Sequence, residues 1–165
     1  MIGDVIRNLF SLDDDDDDDD EVCEALTPRR IMQEIAVFKR KNVPENEYHF
    51  FMDGKKPYAV FAAHPRENVY TLHMDLREFP NEPPKVFVTK MLRDYDGEKM
   101  DSADGSMHVL ESEHGWTRIC HYGGSSWTPN VSLYKIYVKC CLWLLTYEYH
   151  LEEGKPIDYY LNHQK

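Results

Sequence analysis

Phe79-Pro80-Asn81-Glu82-Pro83-Pro84 splits the chain into two parts of different character. Three prolines in these six residues exclude regular helix or ladder, because each fixes φ and removes a backbone donor. Upstream lie three β-like segments, at 48–52, 58–64 and 69–76, rich in aromatic and β-branched residues. Asp53-Gly54 and His64-Pro65 supply the turn signals between them. The spacing predicts an antiparallel meander, with a fourth strand at 85–90. Further upstream, Thr27-Pro28 reads as a helix start, a capping residue followed by proline at the first helical position. Ile31, Ile35 and Phe38, flanked by Met32 and Val37, mark its buried stripe. Val43-Pro44 lies beyond its end.

Downstream, residues 91–117 are long, polar and dotted with glycine, and an irregular loop is expected there. Cys120 follows, then Gly123-Gly124 and Ser125-Ser126-Trp127-Thr128-Pro129. A second helix is predicted over 130–149, apolar on nearly all sides and therefore buried. Gly154 and Pro156 end it, and a short final helix is expected over 157–161. The expected class is α+β: an N-terminal helix, a four-stranded antiparallel meander, a long loop leading to Cys120 and C-terminal helices.

The 165 residues suit one core. The formal net charge is −11, but eight consecutive aspartates, 13–20, supply −8 of it. The other 157 residues carry 22 acids and 19 Lys plus Arg, a net of only −3. The chain thus reads as a near-neutral body, 27–165, joined to an acidic tether and apolar motif, 1–26. The tether should be solvated, since like charges repel and nothing in it can bury. Ile2, Val5, Ile6, Leu9 and Phe10 in the motif have helical spacing. They fit either a helix docked on its own domain or a short motif offered to a partner's groove. No basic stripe supports nucleic-acid binding. No apolar run approaches the roughly 20 residues of a membrane span, and 1–12 lacks the pattern of a secretory signal. A cytoplasmic protein is expected, with Cys23, Cys120, Cys140 and Cys141 reduced.

The order helix, meander, proline-rich turn, cysteine loop and buried helix resembles the ubiquitin-conjugating enzyme (E2) family. Phe79-Pro80-Asn81-Glu82-Pro83-Pro84-Lys85-Val86 is similar to the family's aromatic-Pro-x-x-Pro-Pro segment. Gly115 to Ile119, leading into Cys120, resembles its approach to the active cysteine. Trp127-Thr128-Pro129, seven residues after Cys120, resembles the Trp-Ser/Thr-Pro that opens its next helix. The resemblance spans 27–161. It departs at the family's His-Pro-Asn: the nearest candidate is His108, twelve residues before Cys120 and followed by Val109-Leu110. These departures are similar to divergent bacterial members in ubiquitin-like conjugation operons, several linked to antiviral (anti-phage) defence.

The resemblance implies an acyltransferase without cofactor or metal. An E1-like activating enzyme would present a ubiquitin-like modifier as a thioester, Cys120 would accept it, and a target protein's amine would take it. Cysteine suits both steps as a strong nucleophile and a fair leaving group. The missing asparagine removes an oxyanion donor, worth about 3–4 kcal/mol of barrier. His121 and His108 are the candidate replacements, with His108 also a candidate to hold the loop. Trp127, Asn130 and Glu111 are assigned to the substrate side. The bland readings are favoured for two of them, Asn130 as a helix cap and Glu111 as a solvated carboxylate. Arg29, Arg30 and Lys39 on the first helix would face the activating enzyme. Cys140 and Cys141 read as core.

Two other functions compete. His108, His114, Cys120 and His121 offer zinc-type ligands without the usual close pairing. A catalytically inactive E2-like binding scaffold would also explain the missing Pro-Asn. Neither a Gly-x-Ser-x-Gly elbow nor a phosphate-binding loop is present. Deleting residues 1–24 should leave the fold intact, as read by circular dichroism and the thermal midpoint. A truncated chain that no longer folds would contradict the tether reading.

Overall fold

The computed structural model describes residues 26–52, 54–122 and 126–162. The apolar motif, the aspartate run, Cys23, Asp53 and Gly123-Gly124 lie outside the described residues. Helix α1 spans Pro28–Arg40. Thr27 caps it, its hydroxyl oxygen accepting from the Arg30 backbone N–H at 3.1 Å. At its far end Asn42 takes a positive φ of 59°. The Asn42 and Val43 N–H groups then bond back to the Lys39 and Phe38 carbonyls, the double bond that closes a helix in a left-handed residue. The buried line of α1 is Arg30, Ile31, Glu34 and Phe38. Met32, a predicted flank of the stripe, is 71% exposed.

A one-turn 3₁₀ segment, Glu45–Glu47, leads into the sheet. Its strands are β1 (Tyr48–Phe51), β2 (Tyr58–Ala63), β3 (Tyr70–Asp75), β4 (Lys85–Val88), β5 (Val109–Glu113) and β6 (Trp116–Ile119). All pairings are antiparallel and the order is β1-β2-β3-β4-β6-β5. The expected meander of four strands is therefore short by two. The added hairpin begins inside the stretch read as an irregular loop and runs two residues beyond it. His114 and Gly115 join its strands at φ 59° and 72°, with Glu113 opposite Trp116. Two positive-φ residues are what a tight two-residue hairpin needs.

Helix α2, Leu133–Glu153, begins three residues later than predicted and is capped by the Ser132 side chain. Asn130 therefore does not cap it. Its residues Leu133, Ile136, Cys140, Trp143, Leu144 and Tyr147 bury against the sheet. They meet Phe61, Leu72, Met74, Val86 and Ile119 from alternate positions of the strands. Helix α3, Ile157–Asn162, covers the opposite side of α2, where Leu142 packs with Tyr160. This second layer explains why α2 is apolar all round.

One buried ion pair links α1 to the start of α2. Arg30 Nε donates to Glu34 Oε1 at 2.8 Å, and the Leu133 N–H donates to Glu34 Oε2 at 2.8 Å. Arg30 also reaches the Val131 carbonyl at 3.1 Å and lies over the Phe79 ring. Burial pushes the Glu34 carboxyl above its ordinary value, opposed by the Leu133 N–H and by Arg30. The pair thus fixes geometry while recovering only part of its desolvation cost. Glu34→Ala, which strands the Arg30 charge, should lower stability by about 3–5 kcal/mol in urea unfolding. Arg30→Met combined with Glu34→Leu should recover most of it. A single variant as stable as wild type would contradict this role.

Candidate active site

Strand β6 runs between β4 and β5, and Ile119, its last residue, pairs with Val86 on one side and Val109 on the other. Ile119 is 1% exposed. Cys120 is the next residue, half-buried, and its N–H donates to the His108 carbonyl at 2.9 Å. The thiol thus sits where the sheet ends. It opens on a cavity of about 190 Å³. That is below the roughly 300 Å³ lower limit of small-molecule pockets. Leu142, Trp143, Leu161 and Ile119 make its apolar walls, and His108, His121 and Lys139 bring the polar groups.

His108 holds the loop in front of Cys120. Its φ is +49°. Its Nε2–H donates to Asp158 Oδ1 at 2.8 Å, and the Asp158 N–H donates to the Ser106 carbonyl at 2.8 Å. Helix α3 and the 104–108 turn are thereby tied together. Asp104 tightens that turn by accepting from the Ser106 N–H and hydroxyl at 2.9 and 2.7 Å. Those bonds, the Ser106 hydroxyl foremost, hold the Asp104 carboxyl below its ordinary value.

His121 is held on the other side. Its Nε2 lies 2.7 Å from the Pro84 carbonyl, which can only accept, so Nε2 carries the proton. Nδ1 then bears a lone pair, buried and without a partner. Burial pushes the ring's pKa down to about 4, with Lys139 and Arg118 adding repulsion. The neutral ring lines the cavity with its donor committed to Pro84 and its acceptor nitrogen buried.

The other sequence candidates scatter. Trp127 donates from its indole N–H to the Pro80 carbonyl at 2.9 Å and meets Tyr122 edge-on at 5.4 Å. It braces the segment after Cys120 against the proline-rich turn. Asn130 is exposed in a turn, and Glu111 is exposed on edge strand β5. Arg30 is not on the presented face of α1: it is 8% exposed and committed to Glu34. Arg29 and Lys39 are exposed, with Lys39 3.6 Å from Glu45. His114 is at the hairpin tip, against Phe87 and Trp116. Among the described residues, no group of three His, Cys, Asp or Glu side chains is placed to hold a metal ion. Burial pushes the Cys140 thiol up and the Cys141 thiol up to about 12, so both stay protonated in α2.

Sequence reasoning missed Asp158 and Lys139. Asp158 carried no signal, because its role depends on α3 folding back. Lys139 did carry one: it is the lone charge between Ile136 and Tyr147.

The His121 ring makes stability sensitive to acid. The unfolded ring takes up its proton near pH 6.5 and the folded one near pH 4. Its contribution is complete above about pH 6.5, falls as the pH drops towards 4, and totals about 3 kcal/mol. His121→Asn should therefore narrow the stability gap from wild type by about that amount between pH 7 and pH 4 in urea unfolding. A gap that stays constant would contradict the buried neutral ring. No family model, curated protein or solved structure matches the chain.

Proposed function

We propose that the chain is an E2-like conjugating enzyme with a ubiquitin-conjugating-type fold. A ubiquitin-like modifier arrives as a thioester on an activating enzyme, and the Cys120 sulfur attacks its carbonyl and displaces the first thiolate. An amine of a target protein then takes the acyl group from Cys120. The observation that carries this reading is the placement of Cys120: a half-buried thiol one residue past a buried strand end, lining a cavity of about 190 Å³. The other thiols among the described residues lie in α2. The order of elements around it supports the same reading. The exposed Arg29 and Lys39 suit an acidic surface on the activating enzyme. A bacterial antiviral pathway in the cytoplasm is the setting the sequence resemblance favours. Among the described residues, no helix is long and apolar enough to cross a membrane.

One observation favours a second reading, a non-catalytic scaffold. The ring N–H groups at Nε2 of His108 and His121 are committed to Asp158 and Pro84. No asparagine or glutamine lines the cavity among the described residues.

Incubation of the chain with its cognate activating enzyme, ATP and modifier separates the two. A thiol-sensitive adduct on Cys120 is expected, reduced to background in Cys120→Ala. Persistence of that adduct in Cys120→Ala would refute the assignment. Absence of any adduct on wild type, beside an activating enzyme that charges itself, would favour the scaffold.

A further inference from the structure

We propose that the Lys139 ammonium makes the cavity beside Cys120 an anion site, which holds the oxygen of an acyl group being transferred to or from the Cys120 sulfur. The inference rests on the thioester reading of Cys120 and names the group that would replace the missing oxyanion donor.

Lys139 projects from α2 into the lining that contains Cys120, His108 and His121. An apolar helix core is an unfavourable place for a lysine, and none of the described carboxylates forms an ion pair with it. Its Nζ stands 3.7 Å from the centroid of the Tyr122 ring, and that ring is held edge-on by Trp127 at 5.4 Å. The ring face stabilises the cation without neutralising it. Its stem is half-buried, and burial, with help from Lys135, lowers its pKa from the ordinary value. The result is a charge with three N–H donors, held over the Tyr122 ring on a side chain that lines the cavity.

The second polar feature of the lining is the buried, unpartnered Nδ1 of His121. The cavity lining therefore holds a cationic side chain and a thiol, with the His121 lone pair closed off behind them. The tetrahedral adduct of an amine with a thioester carries an oxyanion, the group that matches the cation. In that step the amine nitrogen adds to the carbonyl carbon, and the C=O π pair moves onto oxygen, facing Lys139. Collapse re-forms C=O, breaks C–S and returns the pair to the Cys120 sulfur. The nitrogen's proton leaves to solvent. A preorganised charge aimed at a developing oxyanion acts without reorganisation, which is why such donors weigh heavily in acyl transfer.

The test needs no partner at its first stage. The full chain is alkylated with iodoacetate, an anion, and with iodoacetamide, its neutral analogue, and modification of Cys120 is read by peptide mass. The rate ratio of iodoacetate to iodoacetamide should fall about tenfold in Lys139→Met and persist in Lys139→Arg. Thermal midpoints of both variants check the fold, and Lys139→Gln replaces Lys139→Met if the latter does not fold. At the second stage, discharge of a preformed Cys120 thioester to free lysine should slow about tenfold or more in Lys139→Met. The half-saturating amine concentration should stay unchanged. A folded Lys139→Met with an unaltered reagent ratio overturns the inference, whether or not the chain charges. If wild type takes no modifier but the ratio still depends on Lys139, the thioester reading fails and the anion site stands.

Discussion

The pairing of Ile119 with Val86 and Val109 is the constraint on which the candidate site depends. A one-residue slip in β6 would move Ile119 to the outer face and turn Arg118 into the core, so burial pins the register. With Ile119 fixed, Cys120 must be the first residue beyond the ladder. Its N–H, bonded to the His108 carbonyl, extends the ladder by one further contact. A strand end fixes the backbone of the residue that follows it more precisely than a loop would.

Two long-range ties shape what surrounds that thiol. His108 to Asp158 brings α3 against the 104–108 turn, and His121 to Pro84 anchors the segment after Cys120 to the proline-rich turn. Each imidazole is fixed in one tautomer at its bonded nitrogen by a partner that only accepts. Polar satisfaction here decides which chemistry the rings have left. His121 retains a buried lone pair, and the lysine that lines the same cavity, Lys139, comes from α2. The Arg30–Glu34 pair acts further out, setting the start of α2 and through it the height at which Lys139 enters the cavity.

Local signals in the sequence were reliable where local physics decides. Thr27-Pro28 capped α1 as read, and the strands flanking Asp53-Gly54 and His64-Pro65 fell within a residue or two of their expected bounds. The β5–β6 hairpin was missed because its alternation is broken by Ser112 and Glu113. Its turn, His114-Gly115, also lacks the usual Asn or Asp before glycine. Glu34 was passed over for a related reason. A carboxylate on a helix reads as solvated, and only the approach of the Leu133 N–H gives it a buried role.

The sequence by itself determined the α+β class, the capped first helix, the breaker at 79–84 and the buried helix. Those conclusions follow from side-chain periodicity, proline geometry and spacing, all of which act over a few residues. Only the tertiary structure decided that the sheet has six strands. It also decided that Arg30 faces inward, that both histidines give up a donor to distant acceptors, and that Lys139 shares the cavity with Cys120. These outcomes depend on which backbone and side-chain groups meet across the fold. The desolvation of polar groups sets their energy, and no local pattern encodes it.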